Sequence, residues 1–580
     1  MNRSGLTHLG VLALIVSAGA AGAQTIYPLD RAEMLARSRF DLKVEFAGAP
    51  AQADVKVTIN GEDPAKLLGK PAAFIQREDG GDHSAFWIRE AAITQPGKYI
   101  VEAAIGDKKA SVTWDVYAPG AARAKNVILF VGDGMSVAHR TAARMLSKGI
   151  VEGKYNGDLA IDDMSNMALV STSGSDSIVT DSANSMSAYT TGHKSCVNAL
   201  GVYCARNKNS LDHPKVETIA EIVKRARGMS VGVVTNTEIE DATPAGMVAH
   251  TRRRADYNDI VKMFFTVKPD VIMGGGSPNF IPTSVGGKRS DNADFIKQFE
   301  NAGYKFATTA AELKAASSSS RLLGLFNTGN IDGALDRMFL KKGSVAKFPD
   351  QPDLTDQIRV ALDILSKNDK GFVLMVESGR IDKYAHSLDW ERSVYETIML
   401  DNAVKIAKDF AALRNDTLIV VVPDHAHPVS IVGAYDDSRP GQQLRDKLGI
   451  YAEAGFPNYP KPNAKGYPES VDVSRRLAFV FGAFPDYCDL GKPYLAGENV
   501  PAVAGATKEV NVANEAYCNA PGAARRAGNL PLEASNGVHS ADDVILTADG
   551  PGAELFRGRI DNTRVFRNIV TALGLNDAQD

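Results

Sequence analysis

Acids and histidines recur in four segments of this chain at spacings that suit metal ions. Asp133 follows the apolar run VILFV in VGDGM. Glu377 ends FVLMVE, with Asp382 five residues on and His386 four beyond that, in ESGRIDKYAH. Asp424 and His425 close VVVPDHAH, followed by His427, and His539 sits in NGVHSADD. Residues at i and i+4 share one helix face, so Asp382 and His386 suit two ligands of one ion. Zinc takes His and carboxylate ligands and magnesium takes oxygen, so the group could hold two zinc ions and one magnesium. Taken singly, each segment also reads as a solvated loop acid or a capped helix start. Their recurrence after buried apolar runs is harder to read that way.

Two metal ions about 4 Å apart clamp the attacking and leaving oxygens of an in-line phosphoryl transfer. Such a centre needs a nucleophile, and a serine hydroxyl serves once a base or metal lowers its pKa. Ser182, in VTDSANSMSAY, follows Asp181 and leads into a run of small residues, Ala183–Thr191. A helix there would turn its N-terminal amides and positive dipole end towards an anion. Asp-Ser before Ala is equally an ordinary helix cap. Two phosphate oxygens call for an arginine fork, and ATPAGMVAHTRRR offers Arg252, Arg253 and Arg254.

The surrounding pattern supplies the elements that must position these groups. From Asn126 onward, strand-like runs (VILFV, SVGVVTN, DVIMGGG, FVLMVE and TLIVVVPDH) alternate with helical ones (Lys215–Gly228, Gln357–Asn368, Glu391–Leu413). The expected fold class is α/β, with a largely parallel central sheet flanked by helices on both faces. Ligands of such sheets collect at the carboxyl ends of the strands. Residues 24–118 read instead as short β segments (Asp54–Ile59, Phe86–Ile88, Lys98–Ala104 and Ser111–Tyr117), consistent with an N-terminal immunoglobulin-like β-sandwich in an accessory role. Pro119-Gly120 marks its end, so residues 119–580 form the second domain. Residues 429–535, rich in Pro, Gly, Tyr and Asn, interrupt the α/β pattern as an insertion near the mouth of the site. The stretch Thr563–Leu573 is expected to close the core as a helix.

Residues 1–23 carry Arg3, a short apolar run and Ala21-Gly22-Ala23, the pattern of a signal peptide cleaved before Gln24. That run is too short to span a bilayer, and no later stretch is long and apolar enough. A periplasmic or secreted protein is expected. Cys196 with Cys204 and Cys488 with Cys518 are the expected disulfides, although four cysteines allow three pairings. The net charge of -4 supplies no basic field, which argues against nucleic acid as a specific partner.

Together, VGDGM, TDSANSMSAYTTG, DATPAGMVAHTRRR, ESGRIDKYAH, PDHAH and GVHSADD resemble the motifs of alkaline phosphatases in order and spacing. The resemblance implies an alkaline-phosphatase-like catalytic domain, with the 429–535 insertion at the place of that family's variable crown. It makes Ser182 the nucleophile that forms a phosphoserine, and Arg254 the phosphate clamp. It gives Asp382, His386 and His539 to a first zinc, and Asp133, Asp424 and His425 to a second. Asp133, Thr243 and Glu377 go to magnesium, and His427 orients the Asp382 carboxylate. Asp241 and Lys383 fall where the family varies; this pair favours magnesium in the third site and sets a cation, Lys383, near the phosphate.

The implied reaction is hydrolysis of small-molecule phosphate monoesters to an alcohol and inorganic phosphate. Alternatives on the same residues are phosphodiester hydrolysis, or phosphate or surface binding without turnover. A homodimer is one assembly the resemblance allows. The N-terminal β domain lies outside the family's core.

Overall fold

The computed structural model describes residues 24–507 and 510–575; the expected signal peptide lies outside them. The chain forms two compact units, one built from the stretch ending at Arg31 with Asp41–Ala91 and Lys98–Trp114, the other from Ala32–Phe40, Ala92–Gly97 and everything from Asp115.

Eight N-terminal strands form two four-stranded sheets. One has the order Gln24–Tyr27, Phe40–Ala47, His83–Ala91, Ala73–Ile75, and the other Glu33–Leu35, Lys108–Tyr117, Gly97–Ile105, Val55–Ile59. Within Phe40–Ala47, Leu42, Val44 and Phe46 are fully buried, as the period of two predicts. The alternate positions are charged and buried too. The Lys43 ammonium lies 2.7 Å from both Glu45 and Glu78, and the Glu78 carboxylate also accepts from Trp87 Nε1 at 2.6 Å. Glu45, Glu78 and His83 converge like metal ligands, but the cation among them is already supplied by Lys43.

The second unit is built on a ten-stranded sheet. Its order is Lys305–Ala307, Leu322–Leu325, Val271–Gly275, Ser230–Glu238, Phe372–Ser378, Asn126–Gly132, Thr417–Val422, Val544–Asp549, Asn166–Ser171, Gly558–Asp561. The first seven strands are mutually parallel; Val544–Asp549 runs antiparallel to both neighbours. Val127, Leu129 and Val131 pack into one core, while Ile128 and Phe130 pack into the other. Burial on both faces is why these strands read as unbroken apolar runs.

The helices lie close to the expected ranges. Trp390–Ala412 and Thr563–Ala572 match to within a residue at each end, and Leu354–Leu365 begins a few residues early. The amphipathic stretch expected from Lys215 becomes helical only at Ile219–Arg227. Thr218 and Glu221 form a capping box that satisfies the first free amides, so the helix starts there. Lys215 instead bridges to Val202. The insertion contains a three-stranded antiparallel sheet, with Val429–Asp436 between Leu448–Gly449 and Arg475–Phe481. Both disulfides have the expected pairing, Cys196–Cys204 and Cys488–Cys518. No described helix is long and apolar enough to cross a membrane.

Candidate active site

Three adjacent parallel strands bring three of the acids together. Phe372–Ser378, Asn126–Gly132 and Thr417–Val422 lie side by side, with Glu377 opposite Val131 and Val131 opposite Val422. Glu377, Asp133 and Asp424 therefore leave the sheet at the carboxyl ends of neighbouring strands. Gly134 makes the turn after Asp133 at φ 65°, where a Cβ would meet the His427 ring at 2.7 Å, and its amide donates to Asp424 at 3.0 Å.

Ser182 is the first residue of a wholly buried helix, Ser182–Thr191. Asp181 caps it and forms a capping box with Asn184, as the cap reading of Asp-Ser expects, and leaves Ser182 at the helix start. The small residues allow close docking: Ser185 donates to the Asp424 carbonyl at 2.6 Å, and Tyr189 to that of Pro423 at 2.7 Å. This fixes Ser182 beside the strand end, with its Oγ 3.3 Å from His425 Nε2.

The short helix Arg380–His386 presents Asp382 and His386 on one face. One Asp382 oxygen lies 2.7 Å from His427 Nε2, 3.2 Å from His386 Nε2 and 3.4 Å from His539 Nε2. The Nδ1 atoms of His386 and His539 face the carbonyls of Gly537 and Thr180. Donation there leaves both Nε2 lone pairs pointing inward, 3.2 Å apart. His425 Nε2 lies 3.2 Å from Asp133 and 3.3 Å from Asp424. Two groups emerge with metal-ligand spacing: Asp382, His386, His427 and His539, and Asp133, Asp382 and His425.

Charge in this cluster is poorly balanced by the protein alone. Burial, then repulsion from Asp382, Asp424 and Glu377, pushes the Asp133 carboxyl well above the usual range. Burial raises Asp424 to about 6 and Glu377 to about 7. Burial also drives His425 well below the ordinary histidine value, so its ring is neutral and free to donate a lone pair. Oδ1 of Asp133, Oδ2 of Asp424 and Oγ1 of Thr243 are buried without a hydrogen-bond partner among the described residues. A set of acceptor oxygens and inward lone pairs fits divalent cations.

Arg254 lies between two acids, 3.2 Å from Asp181 and 2.8 Å from Asp241. Lys383 holds the other Asp241 oxygen at 2.9 Å. Burial would raise the Asp241 carboxyl, but the two cations overcome it and hold the group well below the usual range. The other two arginines are engaged elsewhere: Arg252 donates to the Val197 carbonyl at 2.9 Å, and Arg253 is exposed beside Asp256.

Residues not singled out from the sequence support the site. Thr235 and Thr237 both donate to one Glu377 oxygen, the latter at 3.1 Å. Ser136 joins the loops by donating to the His427 carbonyl at 2.8 Å. The TNT run at the end of Ser230–Glu238 was the available signal, since hydroxyls rarely end a buried apolar strand without a partner.

The profile of the alkaline phosphatase family matches residues 124–575. Alkaline phosphatase of Escherichia coli is 33% identical over 401 residues, covering 59% of this chain and 83% of that protein. Alkaline phosphatase 3 of Bacillus subtilis is 30% identical over 461 residues, covering 78% and 89%. The fold is shared with the solved alkaline phosphatase of Thermus thermophilus, at a TM-score of 0.56 and 24% identity over 79% of this chain and 93% of that one. The enzyme of the Antarctic bacterium TAB5 gives 0.53 and 21%, over 78% and 99%. A catalytic α/β unit of this architecture, matched by the family over most of its length, makes the chain an enzyme of the alkaline phosphatase family.

Proposed function

We propose that the enzyme hydrolyses phosphate monoesters through a phosphoserine on Ser182. The observation that carries this reading is the placement of Ser182 Oγ at a buried helix N-terminus, 3.3 Å from His425, within the acid and histidine cluster. Ser182 Oγ forms a bond to phosphorus as the bond to the leaving alcohol breaks, and the alcohol departs with a proton. Water then forms the second P–O bond as the Ser182 bond breaks, releasing inorganic phosphate. The first amides of Ser182–Thr191 face the phosphoryl oxygens with their positive dipole end. Arg254 offers a planar fork for two of those oxygens, and Asp181 and Asp241 hold it in place. Lys383 adds positive charge on the Asp241 side.

Asp382, His386 and His539 would hold one zinc ion, Asp133, Asp424 and His425 a second, and Asp133, Thr243 and Glu377 a magnesium ion. When bound, these ions supply Lewis-acid stabilisation of attacking and leaving oxygens and lower the pKa of an attacking hydroxyl or water. His427 would orient the Asp382 carboxylate through their 2.7 Å contact. Because catalysis of this kind is positioning and charge stabilisation, the site reads little of the leaving group.

We also propose export to the periplasm or beyond, with residues 1–23 as the leader and residues 24–118 as an accessory domain; the two disulfides support an oxidising compartment. The activity is tested with a chromogenic monoester and its diester counterpart at alkaline pH, before and after EDTA, with zinc and magnesium returned separately. Monoester turnover that is lost on chelation and restored by both metals is expected. Faster diester turnover, or no turnover under any metal condition, would overturn the reading.

A further inference from the structure

The inserted segment encloses a cavity of about 140 Å³ against the start of the helix Trp390–Ala412. Its lining includes a stacked aromatic pair, Trp390 and Phe479, with centroids 4.4 Å apart and planes 7° from parallel. Phe481, Tyr435, Tyr487 and Tyr494 line the rest of its aromatic wall. Glu391 is among the residues that line this space. Glu391 is only 7% exposed, yet among the described residues its carboxyl has no hydrogen bond from another residue and no ion pair.

Every other charge on the cavity is committed. Arg476 lies 3.1 Å from Asp437, Arg526 2.9 Å from Asp489, Lys492 3.2 Å from Asp437, and Asp389 2.8 Å from Arg392. The cations are neutralised, so the cavity is not built for an anion. A buried carboxyl whose hydrogen bond comes from its own amide, in a lining rich in aromatic rings, is the complement of a positive charge carrying apolar groups. We propose that this cavity binds a small organic cation, an amine or quaternary ammonium, with its charge on Glu391 and its apolar groups against Trp390 and Phe479. The cavity lies between the inserted segment and the start of Trp390–Ala412, and its lining includes none of the residues assigned to hydrolysis.

The surroundings of Glu391 favour the neutral form of its carboxyl. Burial, then repulsion from Asp389, raises it to about 8, with Arg392 and Arg476 opposing and Tyr395 and Tyr459 packed nearby. Binding should therefore tighten about tenfold between pH 7 and pH 9, as the ionised fraction rises.

The test is calorimetric titration of the whole metal-loaded enzyme, with inorganic phosphate saturating the active site, using choline and its uncharged carbon isostere 3,3-dimethylbutan-1-ol. Saturable choline binding is expected, at least tenfold tighter than the alcohol and tighter at pH 9 than at pH 7. Glu391→Gln should lower choline affinity at least tenfold and remove the pH dependence, while leaving monoester turnover unchanged. Equal binding of the two probes to the wild-type enzyme would overturn the proposal without recourse to the variant. So would an absence of saturable choline binding, or unchanged affinity in Glu391→Gln.

Discussion

Ser182 Oγ and His425 Nε2 lie 3.3 Å apart although 243 residues separate them in the chain. The contact follows from docking the buried helix onto the Pro423–Asp424 turn through Tyr189 and Ser185. Ser182→Ala should lower monoester turnover by several orders of magnitude, because the proposed nucleophile is lost. Metal content, measured by elemental analysis, should stay nearly intact, since the His and carboxylate donors are untouched. Near-normal turnover would remove Ser182 from the mechanism.

Arg254 should matter for binding more than for bond-making. Arg254→Ala is expected to weaken inhibition by inorganic phosphate, and to raise KM, by about 10- to 100-fold, the worth of a charge-assisted hydrogen bond. Arg253→Ala, at an exposed position, should change neither. Phosphate inhibition curves for the two variants make the comparison.

Chelation should cost stability as well as activity. Asp133, Asp382, Asp424 and Glu377 repel one another within a buried site, and cations relieve that repulsion. Metal-depleted enzyme should melt several degrees below metal-loaded enzyme in differential scanning calorimetry, and the gap should narrow as pH falls and the acids take up protons. An identical Tm in the two forms would argue against metal binding at these residues.

Asp401 gives a pH dependence distant from that cluster. Its buried carboxyl accepts from the Ile161 amide at 3.0 Å, and burial raises it from 3.8 to about 6. Between those values the folded chain holds a proton that the unfolded chain has lost. Stability from this group is therefore full below pH 4, falls as pH rises towards 6, and is constant above; the loss is about 2–3 kcal/mol. Asp401→Asn keeps the acceptor and removes the titration. Its Tm should exceed that of wild type at pH 8 and lose the advantage by pH 4.

The site was legible where chemistry follows directly on a buried run. Asp133, Glu377 and Asp424 each end an apolar strand, so the pattern put them at one end of a parallel sheet, and the sheet order then made their strands neighbours about 5 Å apart. Thr235 and Thr237 escaped notice because their role depends on which strand neighbours Phe372–Ser378, a question of sheet order rather than local spacing. The start of the helix at Ile219 was written in Thr218 and Glu221, a capping signal stronger than the apolar periodicity beginning at Lys215. Glu391 was invisible as a candidate, since a lone glutamate at a helix start reads as a solvated favourable charge.

The sequence by itself determined the α/β class, the strand-end acids, Ser182 at a helix start and two local disulfides, because each is encoded in residues near one another in the chain. Tertiary structure alone decided that Arg254, and neither Arg252 nor Arg253, lies between Asp181 and Asp241, and that His386 and His539 turn their lone pairs towards Asp382. It also decided that Glu391 lines an aromatic cavity with no hydrogen bond from another described residue. The Asp181–Arg254 and His386–His539 pairings join residues 73 and 153 apart in the chain. They depend on which loops meet at one end of the sheet, and local spacing does not encode that meeting.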